Sequence, residues 1–370
     1  MLFDVQLLFE FCHLTFLIKD MFYLKYRPKT IEEIDNSRVK DILKKILEGA
    51  SIPHAILLVG QKGTGKTSTA RIIAKSLNCL DNKYSEKNNN FEPCNKCKNC
   101  LSIVRSSFTD VVEMDAASNR GIDEIKSLIK ETSFLPMSGR MRIFIIDEAH
   151  MITPDGFNAL LKTLEEPPKS AVFILATTNL EKLPQTIVSR CVKVNFGKAS
   201  QTDIILMLKR ISASEKANFN DQILKVIARH SESSFRDAAK ILEEIITQKL
   251  NSLESIENFF GLKGKGNLLQ IMATKDVTSA FTWVAEFGES GGNFKNLIED
   301  MLESLRLELL KKKGVVIEGS ENLSFDTKQL THLIKLLMEA YQLLRLSPID
   351  SLPLEIALSE FYNDKESSSP

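Results

Sequence analysis

Residues 55–67 read AILLVGQKGTGKT. Ile56, Leu57, Leu58 and Val59 form a continuous apolar run, as in a strand buried on both faces of a parallel sheet. Gly60-Gln61-Lys62-Gly63-Thr64-Gly65-Lys66-Thr67 then fits G-x-x-x-x-G-K-S/T at every fixed position. The glycines of such a loop let backbone N–H groups face a polyphosphate. The helix that follows, expected from Ser68 to Leu77, adds the positive end of its dipole. Lys66 would reach the β- and γ-phosphates of ATP, and the Thr67 hydroxyl would hold Mg²⁺. The competing reading is a glycine-rich turn between strand and helix.

Composition bounds the rest. A chain of 370 residues exceeds one ordinary core, so two or three domains are expected. Hydrophobic residues at 43% and charged residues at 26% describe a soluble, folded chain. Lys+Arg and Asp+Glu balance at 48 each, which excludes a global basic field; DNA contact has to come from a local patch or an assembled surface. Residues 1–20 are apolar but interrupted by Asp4, Glu10 and His13, with no uncharged run near the ~20 residues that span a bilayer. They also lack a basic start and a cleavage site, so no signal peptide and no membrane contact are expected. Either Met21 is the natural start or 1–20 is a loosely attached helix.

Tyr23 to Pro28 is expected to be extended, because Pro28 disfavours the α region at Arg27. A helix with Ile42, Leu43, Ile46 and Leu47 on one face then stops at Gly49. This segment either packs on a nucleotide base or belongs to the core. After the phosphate-loop helix, Cys79 precedes a polar stretch that ends in Cys94-x-x-Cys97-x-x-Cys100. Four thiolates suit a structural, tetrahedral Zn²⁺ with no position open for water, in a reducing compartment; an iron–sulfur cluster is the other reading. Cys12 and Cys191 are expected to be free thiols.

Thr109 to Asp115 reads as a second strand, and Ile122 to Lys130 as a helix with Ile122, Ile125, Leu128 and Ile129 inward. Arg120 and Lys126 read as solvated surface more than as phosphate contacts. Arg142 to Ile146 is an apolar strand ending in Asp147 and Glu148, about 80 residues after the phosphate loop. Ligands of open parallel sheets lie beyond the carboxyl ends of the strands, where both acids fall. Asp147 suits Mg²⁺ and Glu148 suits a base polarising the attacking water; His150 receives no role. Thr153 caps a helix starting at Pro154, with Phe157, Leu160, Leu161 and Leu164 inward. Ala171 to Thr177 is a further strand; Thr177-Thr178-Asn179 at its end either contact a γ-phosphate or its water, or cap the next turn. Arg190, ahead of a last strand Val192 to Phe196, is either a surface residue or a finger for a neighbour's γ-phosphate.

Taken together, these residues resemble the gamma/tau family of bacterial DNA polymerase III, motors of the sliding-clamp loader among the AAA+ ATPases. The resemblance is carried by Lys25-Tyr26-Arg27-Pro28, the loop 60–67, cysteines 79, 94, 97 and 100, and Asp115-Ala116-Ala117-Ser118-Asn119. Ile146-Asp147-Glu148-Ala149-His150, Asn158 to Pro168, Leu175-Ala176-Thr177-Thr178 and Ser189-Arg190-Cys191 complete it. It implies an α/β P-loop AAA+ domain with a five-stranded parallel sheet over 22–198, carrying an inserted zinc module at 79–100. A helical lid follows at 199–248, then an all-α collar at 249–363 that assembles an open five-membered ring; 1–21 is an extension and 364–370 a tail. It makes Gly60 through Ser68 the nucleotide cradle, Lys66, Asp147, Glu148 and Arg190 the catalytic set, and Thr178 a γ-phosphate sensor. Arg236, in Ser234-Phe235-Arg236-Asp237-Ala238, would contact nucleotide in cis. Asp35-Asn36 depart from the Gly-Gln usual in relatives, which bears on the base pocket.

The implied function is ATP-driven opening and loading of the sliding clamp onto primer-template DNA, with the other loader subunits as partners, in the cytoplasmic replisome. With no further domains after the collar, the chain resembles the shorter gamma form. Two alternatives stay open: another AAA+ DNA-remodelling ATPase, or a non-hydrolysing structural subunit. The cysteine cluster argues against the first, and the intact Lys66, Thr67, Asp147 and Glu148 against the second. Residues 251–267 read as partly linker, and helical patterns with apolar faces recur over 268–287, 293–312, 326–346 and 351–362.

Overall fold

In the computed structural model, residues 21–49, 52–82, 90–260, 265–274, 276–289, 291–315 and 324–366 are described. The readings of 1–20, including Cys12, of most of the polar stretch before Cys94, and of the tail beyond Glu366 lie outside the described residues. Contacts divide the chain into two compact units between Lys249 and Leu250.

The apolar runs of the first unit are its strands: β1 (Ala55–Gly60), β2 (Val111–Asp115), β3 (Arg142–Asp147), β4 (Ala171–Thr177) and β5 (Val192–Gly197). They form one five-stranded sheet in the order β2-β3-β4-β1-β5. Every pairing is parallel, with Leu57 opposite Leu175 and Lys193, Phe144 opposite Phe173, and Met114 opposite Ile146. Because successive strand residues point to opposite faces, the runs feed two cores. Ile56, Leu58, Ile143, Ile145, Val172 and Ile174 enter one, and Leu57, Phe144, Ile146, Phe173 and Leu175 the other. Phe144 and Phe173 stack at 5.2 Å across the pair β3–β4.

The first unit's helices are α1 (Phe22–Lys25), α2 (Ser37–Glu48), α3 (Lys66–Asn78), α4 (Lys98–Val104), α5 (Ile122–Thr132), α6 (Pro154–Glu165) and α7 (Gln185–Val188). After the sheet come α8 (Gln201–Ser214), α9 (Asp221–Arg229) and α10 (Phe235–Thr247). Short polar side chains start them: Asn36 accepts from Val39 N at 3.1 Å, Thr153 from Gly156 N at 3.3 Å and Ser234 from Asp237 N at 3.2 Å. The extended reading of Tyr23 to Pro28 is corrected. Residues 22–25 make a helical turn, because the proline restricts only the residue immediately before it, Arg27, and leaves the earlier ones free.

The elements of the second unit among the described residues are all helices: α11 (Leu253–Phe259), α12 (Lys265–Thr274), α13 (Val277–Glu289), α14 (Phe294–Lys312), α15 (Thr327–Leu343) and α16 (Leu352–Glu366). Much of the stretch read as partly linker is therefore helix. The single pattern over 268–287 is two helices, with Asp276 accepting from Ser279 N at 3.0 Å to start the second. Leu297, Met301, Leu305, Leu333, Leu337 and Leu358, all fully buried, join these helices in one core. Among the described residues no helix is long and apolar enough to cross a membrane.

Candidate functional site

The loop after β1 depends on backbone freedom at two glycines. Gly63 and Gly65 have φ of 79° and 99°, the left-handed region that costs other residues ~1–2 kcal/mol. A Cβ on Gly63 would also collide with Ser234 at the start of α10, and Arg236 N donates to Gly63 O at 3.4 Å. The loop is thus packed against α10. Lys66 is 6% exposed, and its ammonium donates to the carbonyl oxygens of Gly60 and Gln61, both at 2.9 Å. Burial holds its pKa below the usual lysine value, while Glu148 and Asp147 oppose that shift.

The tip of β3 meets this loop. Thr67 Oγ1 donates to Asp147 Oδ2 at 2.6 Å, joining residues 80 positions apart in sequence. The other Asp147 oxygen accepts from Glu148 N at 2.9 Å. Glu148 itself lies at φ 46°, an unusual conformation for a residue with a side chain. Its carboxylate accepts from Thr178 Oγ1 at 3.0 Å and lies 3.4 Å from His150 Nδ1. His150 Nδ1 is also 3.1 Å from Thr177 Oγ1. His150, unassigned from sequence, belongs to this network; beside Glu148, two residues before it, its partner is Thr177 on a strand tip 27 residues later, which no local pattern reveals.

Lys66, Thr67, Asp147 and Glu148 border a cavity of about 330 Å³. Lys62 to Ser68, Asp147 and Glu148 give it a polar lining, and Pro28, Ile34, Met207 and Ile211 add an apolar one. Arg236 lines the cavity too, with its guanidinium carbon 4.8 Å from the centre of the Tyr23 ring. Arg27 is a lining residue that had received no role. Its Nε donates to Ser68 Oγ at 2.6 Å, and burial, with Arg71 nearby, lowers its pKa. Asp35 pairs with Arg210 at 2.7 Å, yet burial dominates and raises its pKa. Asn36 donates to Phe196 O at 3.0 Å, so the Asp35-Asn36 departure adds an ion pair and a cap beside the cavity. Thr178 and Arg190 do not line it. Thr178 acts on Glu148, whereas Arg190 is one-third exposed and bonds Glu165 Oε1 at 2.5 Å and Thr186 O at 2.7 Å.

Cys79, Cys94, Cys97 and Cys100 come together with all sulfurs within 4.8 Å of one another. Backbone N–H groups already aim at them: Cys94 N at Cys79 Sγ (3.3 Å), Cys97 N at Cys94 Sγ (3.2 Å) and Cys100 N at Cys97 Sγ (3.5 Å). Such donors stabilise thiolate charge, and the donor set fits a tetrahedral soft cation such as Zn²⁺. Cys191 lies apart from the cluster, and burial pushes its thiol up to about 11.

The family described as DNA polymerase III, delta subunit, matches residues 35–200. A Buchnera aphidicola (subsp. Baizongia pistaciae) protein named DNA polymerase III subunit gamma is 37% identical over 288 residues, covering 76% of this chain and 76% of its own. The chain belongs to the DNA polymerase III gamma/tau family. Another member, the Bacillus subtilis DNA polymerase III subunit tau, is 36% identical over 304 residues; the match takes in 80% of this chain and 53% of tau, so the chain spans about half of that relative. Among solved structures, the Thermotoga maritima RuvB Holliday junction branch migration motor aligns over 67% of this chain and 79% of its own, with TM-score 0.46 and 18% identity. The parallel five-stranded sheet and the helical C-terminal unit agree with the fold class read from the sequence.

Proposed function

We propose that this chain is an ATP-hydrolysing motor subunit of the DNA polymerase III clamp loader. The observation that carries this is the bond of Thr67 Oγ1 to Asp147 Oδ2 at 2.6 Å, with Lys66 and Glu148 lining the same cavity, and we read these four residues as its phosphate end and the apolar lining as its base end. The N–H groups of the loop around Gly63 to Lys66 face the phosphates, and the Lys66 ammonium turns from its two carbonyl partners to the β- and γ-oxygens. Thr67 and Asp147 would hold Mg²⁺ through their hard oxygens, and the ion would supply positive charge against the phosphates. Glu148, oriented by Thr178 and His150, accepts hydrogen bonding from the attacking water. The water oxygen bonds to the γ-phosphorus as the bond from that phosphorus to the β–γ bridging oxygen breaks; a proton of the water leaves by way of Glu148, giving ADP and inorganic phosphate.

Arg236 contacts the phosphates in cis. Arg190, on the surface away from its own cavity, serves the neighbouring protomer, so hydrolysis depends on assembly. The partners are the other loader subunits in the ring, the sliding clamp and primer-template DNA, in the bacterial cytoplasm. The four-cysteine cluster holds a structural Zn²⁺. Residues 199–248 act as the lid and 249–363 as the collar. The test is ATP turnover by the purified chain in the reconstituted loader, with and without clamp and primed DNA. Stimulation by both is expected. Turnover that ignores clamp and DNA would refute the loader role, and no turnover would refute the motor role.

A further inference from the structure

The cysteine cluster and the nucleotide cavity share two pieces of backbone. The first is α3, whose N-terminal residues Lys66 and Thr67 belong to the phosphate end and whose C-cap is Cys79. The second is the segment 27–36. One side of it lines the cavity through Arg27, Pro28, Ile34 and Asp35. The other side is held by the cysteine insert. Glu92, two residues before Cys94, accepts from Ile31 N at 2.9 Å and from Glu32 N at 3.1 Å, one with each carboxylate oxygen. Lys75 of α3 is 2% exposed; its ammonium donates to Lys29 O at 2.5 Å and to Asn95 Oδ1 at 2.6 Å. Asn95 sits between Cys94 and Cys97. Phe91 of the insert packs in the same buried cluster as Ile31 and Ile34.

Segment 27–36 contains no strand and only turns before α2, so it has no ladder of its own to fix its path. Its N–H groups at 31 and 32 are met by the Glu92 carboxylate, and charged acceptors make the stronger backbone bonds. Glu92 is joined through Pro93 to Cys94, whose N–H donates to Cys79 Sγ at 3.3 Å. A polar insert with few apolar side chains relies on its metal for order.

We propose that the four-cysteine module is the abutment of the base-side wall of the nucleotide cavity, with Glu92 as the positioning residue that transmits it. This rests on the nucleotide reading above and deepens it: the metal cluster sets how well the apolar end of the cavity grips the base, and leaves the phosphate end alone. Loss of the metal or oxidation of its thiols then lowers affinity for nucleotide without touching a phosphate-binding residue.

The test uses the full chain and equilibrium binding of a fluorescent ATP analogue, with metal content measured by native mass spectrometry. Glu92→Gln keeps its zinc and loses affinity roughly tenfold, the size of one charge-assisted bond weakened to a neutral one. Inorganic tripolyphosphate, which has no base, competes as well against this variant as against the parent. Cys94→Ser loses both the metal and the same share of affinity. Lys96→Ala, on the exposed side of the module, changes neither. Parental affinity in zinc-loaded Glu92→Gln overturns the inference, as does an equal loss for tripolyphosphate. Lys66→Ala separates the two levels: if it too binds the analogue like the parent, the nucleotide reading itself has failed.

Discussion

Gly63→Ala measures how tightly the phosphate loop is packed against α10. Two costs add. At φ 79° an alanine pays ~1–2 kcal/mol for left-handed backbone. Its Cβ would overlap the Ser234 hydroxyl outright and lie 2.9 Å from the Ser234 Cβ. Rotating the hydroxyl away breaks its cap on Asp237 N, worth ~1 kcal/mol, and the Cβ cannot rotate at all, so backbone must shift. The sum is about 2–3 kcal/mol, a fall in Tm of roughly 5–10 °C for a unit of this size. Thermal unfolding of the full chain, followed for the transition that shifts with added nucleotide, reads this directly. In a Ser234→Gly background both obstructing atoms are gone, and Gly63→Ala should cost only the backbone share, ~1–2 kcal/mol. An identical cost in both backgrounds, or a cost under ~0.5 kcal/mol in the first, refutes the packing argument.

Other substitutions probe other parts. Lys66→Ala should abolish ATP binding in titration calorimetry, since it removes the buried ammonium at the phosphate end; measurable affinity near the parent's would sink that role. Arg190→Ala should keep ATP affinity and lose DNA-stimulated hydrolysis in the assembled loader, and its Tm should barely move, because an exposed pair such as that with Glu165 contributes only ~0.2–1 kcal/mol. Cys94→Ser should release metal, detected by a chromophoric chelator, and make the insert more sensitive to protease. The buried Asp110 accepts from the N–H groups of Met137, Ser138 and Gly139 at 2.7–2.8 Å; burial alone would raise its pKa, but these bonds outweigh it and hold the carboxyl below its ordinary value. Its stabilisation is therefore complete above the unfolded value of about 3.9 and drains away as pH falls through the lower folded one. Asp110→Asn should flatten that acid limb in pH-dependent unfolding; an unchanged limb would assign it to other carboxylates.

The strands were legible because a strand buried on both faces needs an unbroken apolar run, and Ile56–Val59, Ile143–Ile146 and Val172–Ala176 each provide one. The phosphate loop, the acid pair and the cysteine spacing were legible because their chemistry demands particular residues at fixed offsets. What escaped were pairings set by tertiary structure. Tyr26 OH donates to Glu215 at 2.5 Å and Lys25 pairs with the same carboxylate at 2.6 Å, across about 190 positions; nothing near Lys25 announces either. This contact fastens α1 to the end of α8 and brings Arg27 to the cavity. Similarly, Asn36 read as a departure from a family pattern, and its role as a helix cap bonded to Phe196 O depended on where β5 ends.

The order β2-β3-β4-β1-β5 also bears on how the chain is made. β1 has only late-arriving neighbours, since it pairs with β4 at residues 171–177 and β5 at 192–197. During synthesis its four apolar residues wait, both edges bare, while more than 100 residues of chain emerge. Unpaired hydrophobic strands of this kind are templates for aggregation, and long-range parallel pairing is slow to form. A ribosome-arrested chain exposed through residue 165 should therefore be cut readily within 55–60 and recruit holdase chaperones, whereas one exposed through residue 215 should be protected there. Equal protection of the two would mean that α2 and α3 shield the strand on their own.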